Sequence, residues 1–209
     1  MPDPLTPLRF FALIPAAGDS RRMGSEKLLL PWRGKPILQH VCEAYRAGGV
    51  QTLLVVARSH DVPLATLATQ LGAIVVQPSP APPDMKSSIQ CGLKQLEHSC
   101  SPHEEEAWFV APADSPLLSP SVIARLRTTY DPLQCQALVP QVGERRGHPA
   151  LIPWSWRTRL ASLAPNVGLN QLLHGADTCL IDCSDLLTTV AWDDLDTPED
   201  YRRLCEQEG

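Results

Sequence analysis

What this sequence lacks narrows its function before any motif is considered. No uninterrupted apolar stretch approaches the roughly 18 residues that a membrane-spanning helix needs. The N-terminal segment MPDPLTPLRFF carries three prolines and no long apolar run, which is not typical of a signal peptide. The net charge is −5, so the overall field does not favour nucleic acid, and any anion site has to be a local basic pocket. We therefore expect a cytoplasmic protein that binds neither nucleic acid nor membrane.

The cysteines lack the spacings that indicate a metal or redox site. None of the seven forms a C-x-x-C pair, and none lies near a histidine at the spacing of zinc ligands. An odd number of cysteines, mostly within apolar runs, is typical of reduced core thiols in a cytosolic enzyme. Cys179 and Cys183 could face each other at one strand end, but we do not expect a disulfide or a metal there.

Two familiar phosphate-binding patterns are also absent. The chain contains neither G-x-G-x-x-G nor G-x-x-x-x-G-K-[ST], which argues against a dinucleotide-binding dehydrogenase and against a P-loop. Between Leu13 and Leu30, however, an apolar run breaks into small residues and then into a basic segment, LIPAAGDSRRMGSEKLLL. Small residues let backbone N–H groups approach phosphate oxygens, and Arg22 and Lys27 add fixed positive charge. The segment predicts a phosphate-binding loop of another kind.

The order of apolar patterns predicts the fold class. Short β-rich runs alternate with amphipathic stretches over the first 130 residues, which is typical of an α/β protein. We expect a Rossmann-like, doubly wound, mostly parallel sheet with helices on both faces, in one domain over residues 1–209. After Tyr130 the strands become shorter and richer in Pro, Gly and Trp, so residues 131–177 are interpreted as an excursion that shapes a substrate pocket. The predicted strands are Phe10–Pro15, Thr52–Ala57, Ala73–Gln77, Trp108–Ala111, Ala137–Pro140, Ala150–Pro153 and Thr178–Ile181, and the predicted helices are Pro36–Ala47, Leu64–Leu71, Ser87–Glu97, Pro120–Tyr130 and Val167–His174.

Asp114 is the first acidic candidate because it follows a predicted strand. In open α/β sheets, ligands bind outside the carboxyl ends of the strands. A carboxylate there can bind Mg²⁺, which takes one or two carboxylates together with substrate oxygens. Alternatively, Asp114 is a turn residue or an N-cap ahead of the helix that begins at Pro120. Spacing alone leaves both interpretations open, and the neighbouring phosphate loop favours the metal.

A second acidic cluster runs from Asp193 to Asp200. Thr197, Pro198 and Asp200 have the spacing of a helix start with a near capping box. That pattern does not explain Asp194 and Asp196, whose carboxylates would repel each other without a cation. A metal shared with Asp114 would relieve the repulsion, and either residue could be the second ligand.

Three further segments each allow a structural and a functional interpretation. Ser87 or Ser88 could cap the helix that follows Asp84, or their hydroxyls could contact the base or sugar of a nucleotide. The segment from Arg145 to Pro149 is a hairpin-like connection or an acceptor contact in which His148 donates. We expect residues 103–106, His-Glu-Glu-Glu, to be a solvated connection rather than a metal site.

Taken together, these segments resemble the nucleotidyltransferases that mature the molybdenum cofactor, within the MobA-like NTP transferase superfamily. Two positions depart from the family pattern: Pro15 stands where leucine is usual, and Asp84 stands where a glycine usually precedes the methionine. The similar motifs span almost the whole chain in the same order. The opening L-A-A/G-G-x-S-x-R-M-G-x-x-K is similar to Pro15–Lys27, D-x-P-L to Asp114–Leu117, G-H-P to Gly147–Pro149, and D-[IL]-D-T-P-E-D to Asp194–Asp200.

The resemblance implies a reaction and a set of site residues. A-A-G rather than A-G-G is similar to the members that use CTP instead of GTP, which points to transfer of CMP from CTP to the phosphate of molybdopterin, with Mg²⁺ as cofactor and release of pyrophosphate. A molybdoenzyme or its chaperone is a further implied partner. The implied residues are Lys27, Arg22 and Asp114 for catalysis; Ala16, Ala17, Gly18, Ser20, Gly24, Ser87 and Ser88 for the nucleotide; Asp114 and Asp196 for the metal; and His148 for the acceptor.

Other functions stay open at this point. One is cytidylyl or guanylyl transfer to another phosphorylated acceptor, although the chain has A-D-S-P-L where the methylerythritol phosphate enzymes resemble D-A-A-R-P. Nucleotide-sugar pyrophosphorylases are a related class. The last alternative is a catalytically silent nucleotide-binding accessory protein of a molybdoenzyme. The main expectation is geometric: Lys27 and Asp114 should meet around one magnesium–triphosphate.

Overall fold

A central sheet of eight strands organises the chain in the computed structural model, which describes residues 7–18, 27–165, 167–187 and 195–206. Two short strands, β2 (Pro31–Trp32) and β3 (Lys35–Pro36), form a separate antiparallel pair. The sheet strands are β1 (Phe10–Pro15), β4 (Thr52–Val56), β5 (Ile74–Val76), β6 (Ala107–Val110), β7 (Ala137–Val142), β8 (Arg145–Arg146), β9 (Ala150–Pro153) and β10 (Thr178–Asp182).

Seven α-helices accompany these strands within the described ranges. Short 3-10 turns at Lys27–Leu29 and Trp154–Trp156 complete the regular structure. The helices are α1 (Ile37–Ala47), α2 (Val62–Gln70), α3 (Met85–Cys100), α4 (Pro120–Thr129), α5 (Arg157–Ser162), α6 (Leu169–Leu173) and α7 (Pro198–Glu206).

The strand order is β10-β7-β9-β6-β1-β4-β5, with β8 paired to the end of β7. The pairs β1–β4, β1–β6, β4–β5 and β7–β10 are parallel, whereas β9 runs antiparallel to both β6 and β7. The predicted α/β fold with a mostly parallel sheet is therefore confirmed. The strands from residues 137 to 182 extend the same sheet beyond β6 and do not form a separate one.

Strand β1 shows why this sheet needs helices on both faces. All six of its residues are buried, so the strand is a continuous apolar run without polar alternation. Phe10, Ala12 and Ile14 pack in one hydrophobic cluster with α1, α2 and α4, and Phe11 and Leu13 pack in another with α3 and α5. The sheet therefore separates two cores, as a doubly wound fold requires.

Helix α3 lies unusually close to the sheet at Gly92. A Cβ atom added there would lie 2.7 Å from Cδ1 of Leu13 and 3.1 Å from Cδ2 of Leu54, and both of these side chains are fully buried. The close approach holds the helix against β1 and β4. Because α3 follows β5, its N-terminus lies at the carboxyl edge of the parallel strands.

The segment at residues 103–106 differs from the solvated connection that we expected. Glu106 is 3% exposed, and its carboxylate accepts hydrogen bonds from Arg9 Nε at 2.6 Å and from the His103 backbone N–H at 2.8 Å. Burying a carboxylate requires such partners, and Arg9 lies 97 residues away in sequence, beyond the reach of a local pattern. The rest of the segment is exposed, as expected.

All seven cysteines are free thiols, as predicted. Burial raises the pKa of Cys42 to about 12, whereas Cys135 is exposed. Among the described helices, none combines the length and the apolar character needed to cross a bilayer.

Candidate functional site

Three separate segments of the chain meet at the Lys27 side chain. Its Nζ forms an ion pair with Asp114 and lies 3.8 Å from Oδ1 of Asp196. The same Nζ donates a hydrogen bond to the Leu195 carbonyl oxygen at 2.9 Å, and the Leu195 N–H donates to the Asp114 carbonyl oxygen at 3.2 Å. The expected convergence of Lys27 and Asp114 is therefore confirmed, and Asp196 joins them.

Burial gives this cluster its electrostatic character. The side chains of Lys27 and Asp114 are only 15% and 13% exposed, whereas that of Asp196 is 58% exposed. A nearly buried carboxylate needs a counter-charge, and the Lys27 ammonium supplies one. Lys27 also lies close enough to Asp196 to offset repulsion between the carboxylates of Asp114 and Asp196.

Asp114 reaches this place because it follows β6, which is the neighbour of β1 in the sheet. Asp114 lies in a turn, as one interpretation expected, but it does not cap the next helix, because the Ser119 side chain accepts the hydrogen bond from the Val122 N–H and caps α4. Asp114 is therefore available to a site at the carboxyl edge of the sheet, where ligands bind in this architecture.

The described part of the phosphate loop comprises the three residues after β1. Ala16 and Ala17 are buried, and the Ala16 N–H donates to the Val56 carbonyl oxygen at 2.8 Å. Gly18 is exposed, and a Cβ atom added to it would meet no atom of the described residues within 4 Å. The backbone there is consequently accessible on the side where a ligand could approach.

Arg58 is a residue of this region that the sequence interpretation missed. It lies just beyond β4, and its guanidinium donates from Nε to the Ala17 carbonyl oxygen at 3.2 Å and from Nη2 to that of Gly18. One signal could have identified it: Arg58 follows a strand that neighbours β1, and this is the rule that selected Asp114.

The N-terminus of α3 corrects one prediction. Its cap is Asp84 and not Ser87 or Ser88, because the Asp84 carboxylate accepts the Ser87 N–H at 2.7 Å. That hydrogen bond and those to nearby groups lower the pKa of Asp84 below its usual value of 3.8. Ser88 is buried, and its hydroxyl donates to the Asp84 carbonyl oxygen at 3.1 Å, whereas Ser87 is half-buried. The aspartate that departs from the family pattern is thus the helix cap.

His148 lies at the same edge of the sheet. The preceding residues form the antiparallel hairpin of β7 and β8, as the structural interpretation expected. Ala150, two residues after His148, pairs with Val110 at the end of β6, four residues before Asp114. His148 is half-buried and precedes a cis proline, Pro149.

The near capping box is confirmed at the start of α7. The Asp200 carboxylate accepts the Thr197 N–H at 2.8 Å, and the Thr197 hydroxyl oxygen accepts the Asp200 N–H at 3.2 Å. The Thr197 hydroxyl also donates to the Asp200 carboxylate at 2.7 Å, and this bond is the main cause that lowers the pKa of Asp200. Asp200 also accepts the Asp196 N–H at 3.2 Å, so the cap holds the backbone next to the Lys27 cluster.

Four predicted site residues lie outside the described residues: Ser20, Arg22, Gly24 and Asp194. Within the described residues, no group of three or more His, Cys, Asp or Glu side chains is placed to hold a metal ion.

Comparison with known proteins now adds to this geometry. A family model described as the MobA-like NTP transferase domain matches residues 12–179, which include the phosphate loop, Lys27, Asp114 and His148. The chain belongs to the MobA-like NTP transferase family. Its sheet is accordingly that of a MobA-like NTP transferase domain.

Relatives within this group differ in their names. Nicotine blue oxidoreductase of Paenarthrobacter nicotinovorans is 28% identical over 90% of this chain and 93% of its own length. 2-C-methyl-D-erythritol 4-phosphate cytidylyltransferase of Ralstonia nicotianae is 35% identical over 56% of this chain, and molybdenum cofactor guanylyltransferase of Xanthomonas euvesicatoria pv. vesicatoria is 29% identical over 53%. The match spans about half the length of each of these two transferases, 49% and 50%.

Solved structures agree on the fold. A nucleotidyl transferase from Methanothermobacter is 19% identical with a TM-score of 0.77, covering 95% of this chain and 97% of its own. The Mycobacterium tuberculosis protein Rv0371c, solved in complex with manganese, is 22% identical with a TM-score of 0.65, covering 95% of this chain and 98% of its own. At these identities the likeness establishes the architecture alone.

Proposed function

We propose that this protein transfers CMP from CTP to the phosphate of a molybdopterin-type acceptor and releases pyrophosphate in a magnesium-dependent reaction. In this reaction an oxygen of the acceptor phosphate attacks the α-phosphorus of the nucleotide. The bond from that phosphorus to the bridging oxygen breaks, and pyrophosphate leaves with the electron pair. Such transfers depend on positioning and on neutralisation of charge more than on covalent chemistry.

The meeting of Lys27 and Asp114 is the observation that carries this proposal. Their ion pair places a fixed cation in direct contact with a carboxylate that can bind a hard metal ion such as Mg²⁺. Both side chains are nearly buried, and in such surroundings a charge contact is stronger than in bulk water. We assign Lys27 to the negative charge that grows on the α-phosphate, and Arg22 to the outer phosphates.

The carboxylates at the cluster fit a divalent cation. Mg²⁺ is held by one or two carboxylates with substrate oxygens and does not need a cage of three protein ligands. Asp114 and Asp196 are the pair that would hold it, because both lie within reach of the same Lys27 ammonium. When bound, the ion neutralises phosphate charge. The manganese complex of the mycobacterial neighbour supports a divalent cation in this fold.

We assign the remaining site residues from the loop motif and from the start of α3. The backbone of Ala16, Ala17 and Gly18 would contact the triphosphate, together with Ser20 and Gly24. Ser87 and Ser88, at the start of α3, would face the base or sugar; the Ser88 hydroxyl would first have to leave the Asp84 carbonyl oxygen.

His148, two residues before the strand that pairs with β6, would donate to the acceptor phosphate. Residues 131–177 would then form the acceptor side of the pocket. A cytosolic molybdoenzyme or its chaperone would receive the product.

Separate observations favour CTP as the nucleotide and molybdopterin as the acceptor. CTP is favoured by the A-A-G sequence of the loop and by the cytidylyltransferases among the relatives. The molybdopterin acceptor is favoured by the motif order and by the molybdenum cofactor guanylyltransferase. The acceptors of the other relatives are therefore part of the test.

A panel assay tests the proposal. Purified protein is incubated with Mg²⁺, each of the four ribonucleoside triphosphates and one acceptor at a time: molybdopterin, methylerythritol phosphate, 3-deoxy-manno-octulosonate or a sugar phosphate. Pyrophosphate release with CTP and molybdopterin is expected to exceed every other combination. If another nucleotide and acceptor release pyrophosphate faster, the assigned substrates change but the reaction is still nucleotidyl transfer.

Two further outcomes would contradict the proposed reaction. CTP binding without pyrophosphate release from any pair indicates a silent accessory protein. Because a relative that matches over nearly its whole length is named nicotine blue oxidoreductase, the same preparation is assayed for oxidation or reduction of nicotine blue. Activity there, with no pyrophosphate release, would replace nucleotidyl transfer as the function.

A further inference from the structure

Arg58 contacts the phosphate loop at its backbone. The guanidinium donates to two successive carbonyl oxygens, from Nε to Ala17 at 3.2 Å and from Nη2 to Gly18. The planar fork of an arginine suits two acceptors held side by side, and its charge makes each bond stronger than one between neutral groups. Arg58 therefore restrains the two peptide units that begin the loop.

The arginine is itself held by the neighbouring strand. The Gln77 side chain, just after β5, donates to the Arg58 carbonyl oxygen at 2.7 Å and to that of Ser59 at 3.4 Å. The Ala57 N–H donates to the Val76 carbonyl oxygen at 2.9 Å, so the residue before Arg58 still belongs to the sheet ladder. The guanidinium is thus attached to a well-supported part of the fold.

Peptide geometry gives this contact a consequence for the loop. The C=O and N–H of one trans peptide unit point in opposite directions. Holding the Ala17 carbonyl on Arg58 therefore turns the Gly18 N–H away from Arg58. Because β1 lies between β4 and β6, the opposite flank of the loop is the one where Asp114 and Lys27 meet.

We propose that Arg58 is a positioning residue that orients the Gly18 backbone N–H toward a bound triphosphate. This inference rests on the proposed nucleotide site but does not depend on which nucleotide or acceptor is used. An arginine that holds carbonyls on one side of a loop leaves donors on the other side, and such preorganised donors form an anion site.

The contact has two measurable effects. In Arg58→Ala, the loop loses its restraint before any ligand binds, so amide hydrogen exchange in the peptide containing Ala16 to Gly18 becomes faster in the ligand-free protein. Loss of preorganisation also weakens ground-state and transition-state binding alike, so KM for the nucleotide rises about tenfold while kcat stays within about twofold.

Arg46→Ala is the matched control. Arg46 also donates through Nη2 to a backbone carbonyl oxygen, that of Leu71, but Leu71 ends α2 ahead of β5, at the opposite edge of the sheet. This variant is expected to leave the loop exchange and the nucleotide KM unchanged. Melting temperatures of both variants separate a general loss of stability from an effect on the loop.

Binding of magnesium tripolyphosphate, measured by calorimetry, keeps the test independent of turnover. If the wild type releases no pyrophosphate but Arg58→Ala still accelerates loop exchange and weakens tripolyphosphate, the proposed function fails and the inference stands. If exchange is unchanged while KM rises, Arg58 contacts the phosphates directly and does not position the loop. Unchanged exchange with unchanged affinity, or no tripolyphosphate binding by the wild type, also overturns the inference.

Discussion

Lys27 and Asp114 form an ion pair across 87 residues of sequence, at the carboxyl edge of the parallel strands. The loop after β1 supplies the cation, and the loop after β6 supplies the anion, because these two strands are neighbours in the sheet. Each charge neutralises the other in a nearly buried setting. A triphosphate with a divalent cation would supply the same two charges in exchange, phosphate to the lysine and metal to the aspartate.

Replacing Lys27 by alanine removes the fixed cation. Under the proposed reaction, kcat should fall about a hundredfold or more, because one preorganised charge contact to the transition state is lost. Initial rates of pyrophosphate release at saturating nucleotide measure the effect. Lys35→Ala is the control, since Lys35 pairs with Glu43 on the surface and should retain full activity. Turnover of Lys27→Ala close to that of the wild type would remove Lys27 from the mechanism.

Replacing Asp114 by alanine tests the metal. The variant should lose the magnesium-dependent activity, because one of the two carboxylates proposed to bind Mg²⁺ is gone. Of the contacts described above, the Lys27 ammonium keeps only the Leu195 carbonyl oxygen and the more distant Asp196. A Mg²⁺ titration of activity reads this out. Asp185→Ala removes an exposed carboxylate that pairs with Arg125 and serves as the control. A titration curve identical to that of the wild type would exclude Asp114 as a ligand.

Gly18→Ala tests whether the open backbone of the loop is where phosphate binds. Among the part of the chain that the structure describes, a Cβ atom at this position meets nothing within 4 Å, so the melting temperature should stay unchanged. A methyl group would nevertheless keep a phosphate from the backbone, and affinity for magnesium tripolyphosphate should fall about tenfold, which corresponds to roughly 1.4 kcal/mol.

Gly143→Ala in the β7–β8 hairpin is the control, because a Cβ atom added there also has no described atom within 4 Å. The φ of Gly143 is +58°, so alanine at this position would strain the backbone. It should lower stability without changing tripolyphosphate affinity. Equal affinity of Gly18→Ala and the wild type would place the phosphates elsewhere.

Asp84 gives α3 a pH-dependent cap. The hydrogen bond that its carboxylate accepts from the Ser87 N–H lowers the pKa of Asp84, so the carboxylate stabilises the folded state at pH values above its unfolded pKa of about 3.8. This contribution to stability is lost as the pH falls through the lower pKa of the folded state. At pH 7, Asp84→Ala should reduce the free energy of unfolding by about 1 kcal/mol. Urea denaturation should show the difference between the two proteins shrinking below pH 3.8.

Asp84→Asn separates the cap from its charge. Asparagine is about as good an N-cap as aspartate but does not titrate, so its advantage over Asp84→Ala should be the same at pH 7 and at pH 3. A wild-type advantage over Asp84→Ala that persists undiminished at low pH would show that the carboxylate charge does not contribute to the cap.

Much of the fold could be predicted because burial on both faces of a sheet leaves a direct trace in the sequence. Strand β1 is apolar at every position and was predicted with its observed bounds, as was β9. Several short elements were not predicted. Strands β2 and β3 have two residues each, too few to show a periodic pattern, and α5 packs its Leu160 into a core built by other segments.

The candidate site divides in a similar way. Lys27 and Asp114 could be chosen because each follows an apolar strand and belongs to a recognisable motif. Arg58 has no motif, and its role depends on two carbonyl groups 40 and 41 residues away. The helix cap at Asp84 was missed because serine and aspartate cap equally well, so composition does not choose between neighbouring candidates.

By itself, the sequence determined most of the segments that form strands and helices, and it predicts which segment approaches phosphate and which lysine and aspartate take part in the chemistry. These features are local, since they follow from side-chain polarity and from residues within one turn or strand. Only the tertiary structure decided that β1 lies between β4 and β6, which sets Arg58 on one flank of the loop and Asp114 on the other. The order of strands depends on how both faces of the whole sheet are covered, and no single segment encodes it.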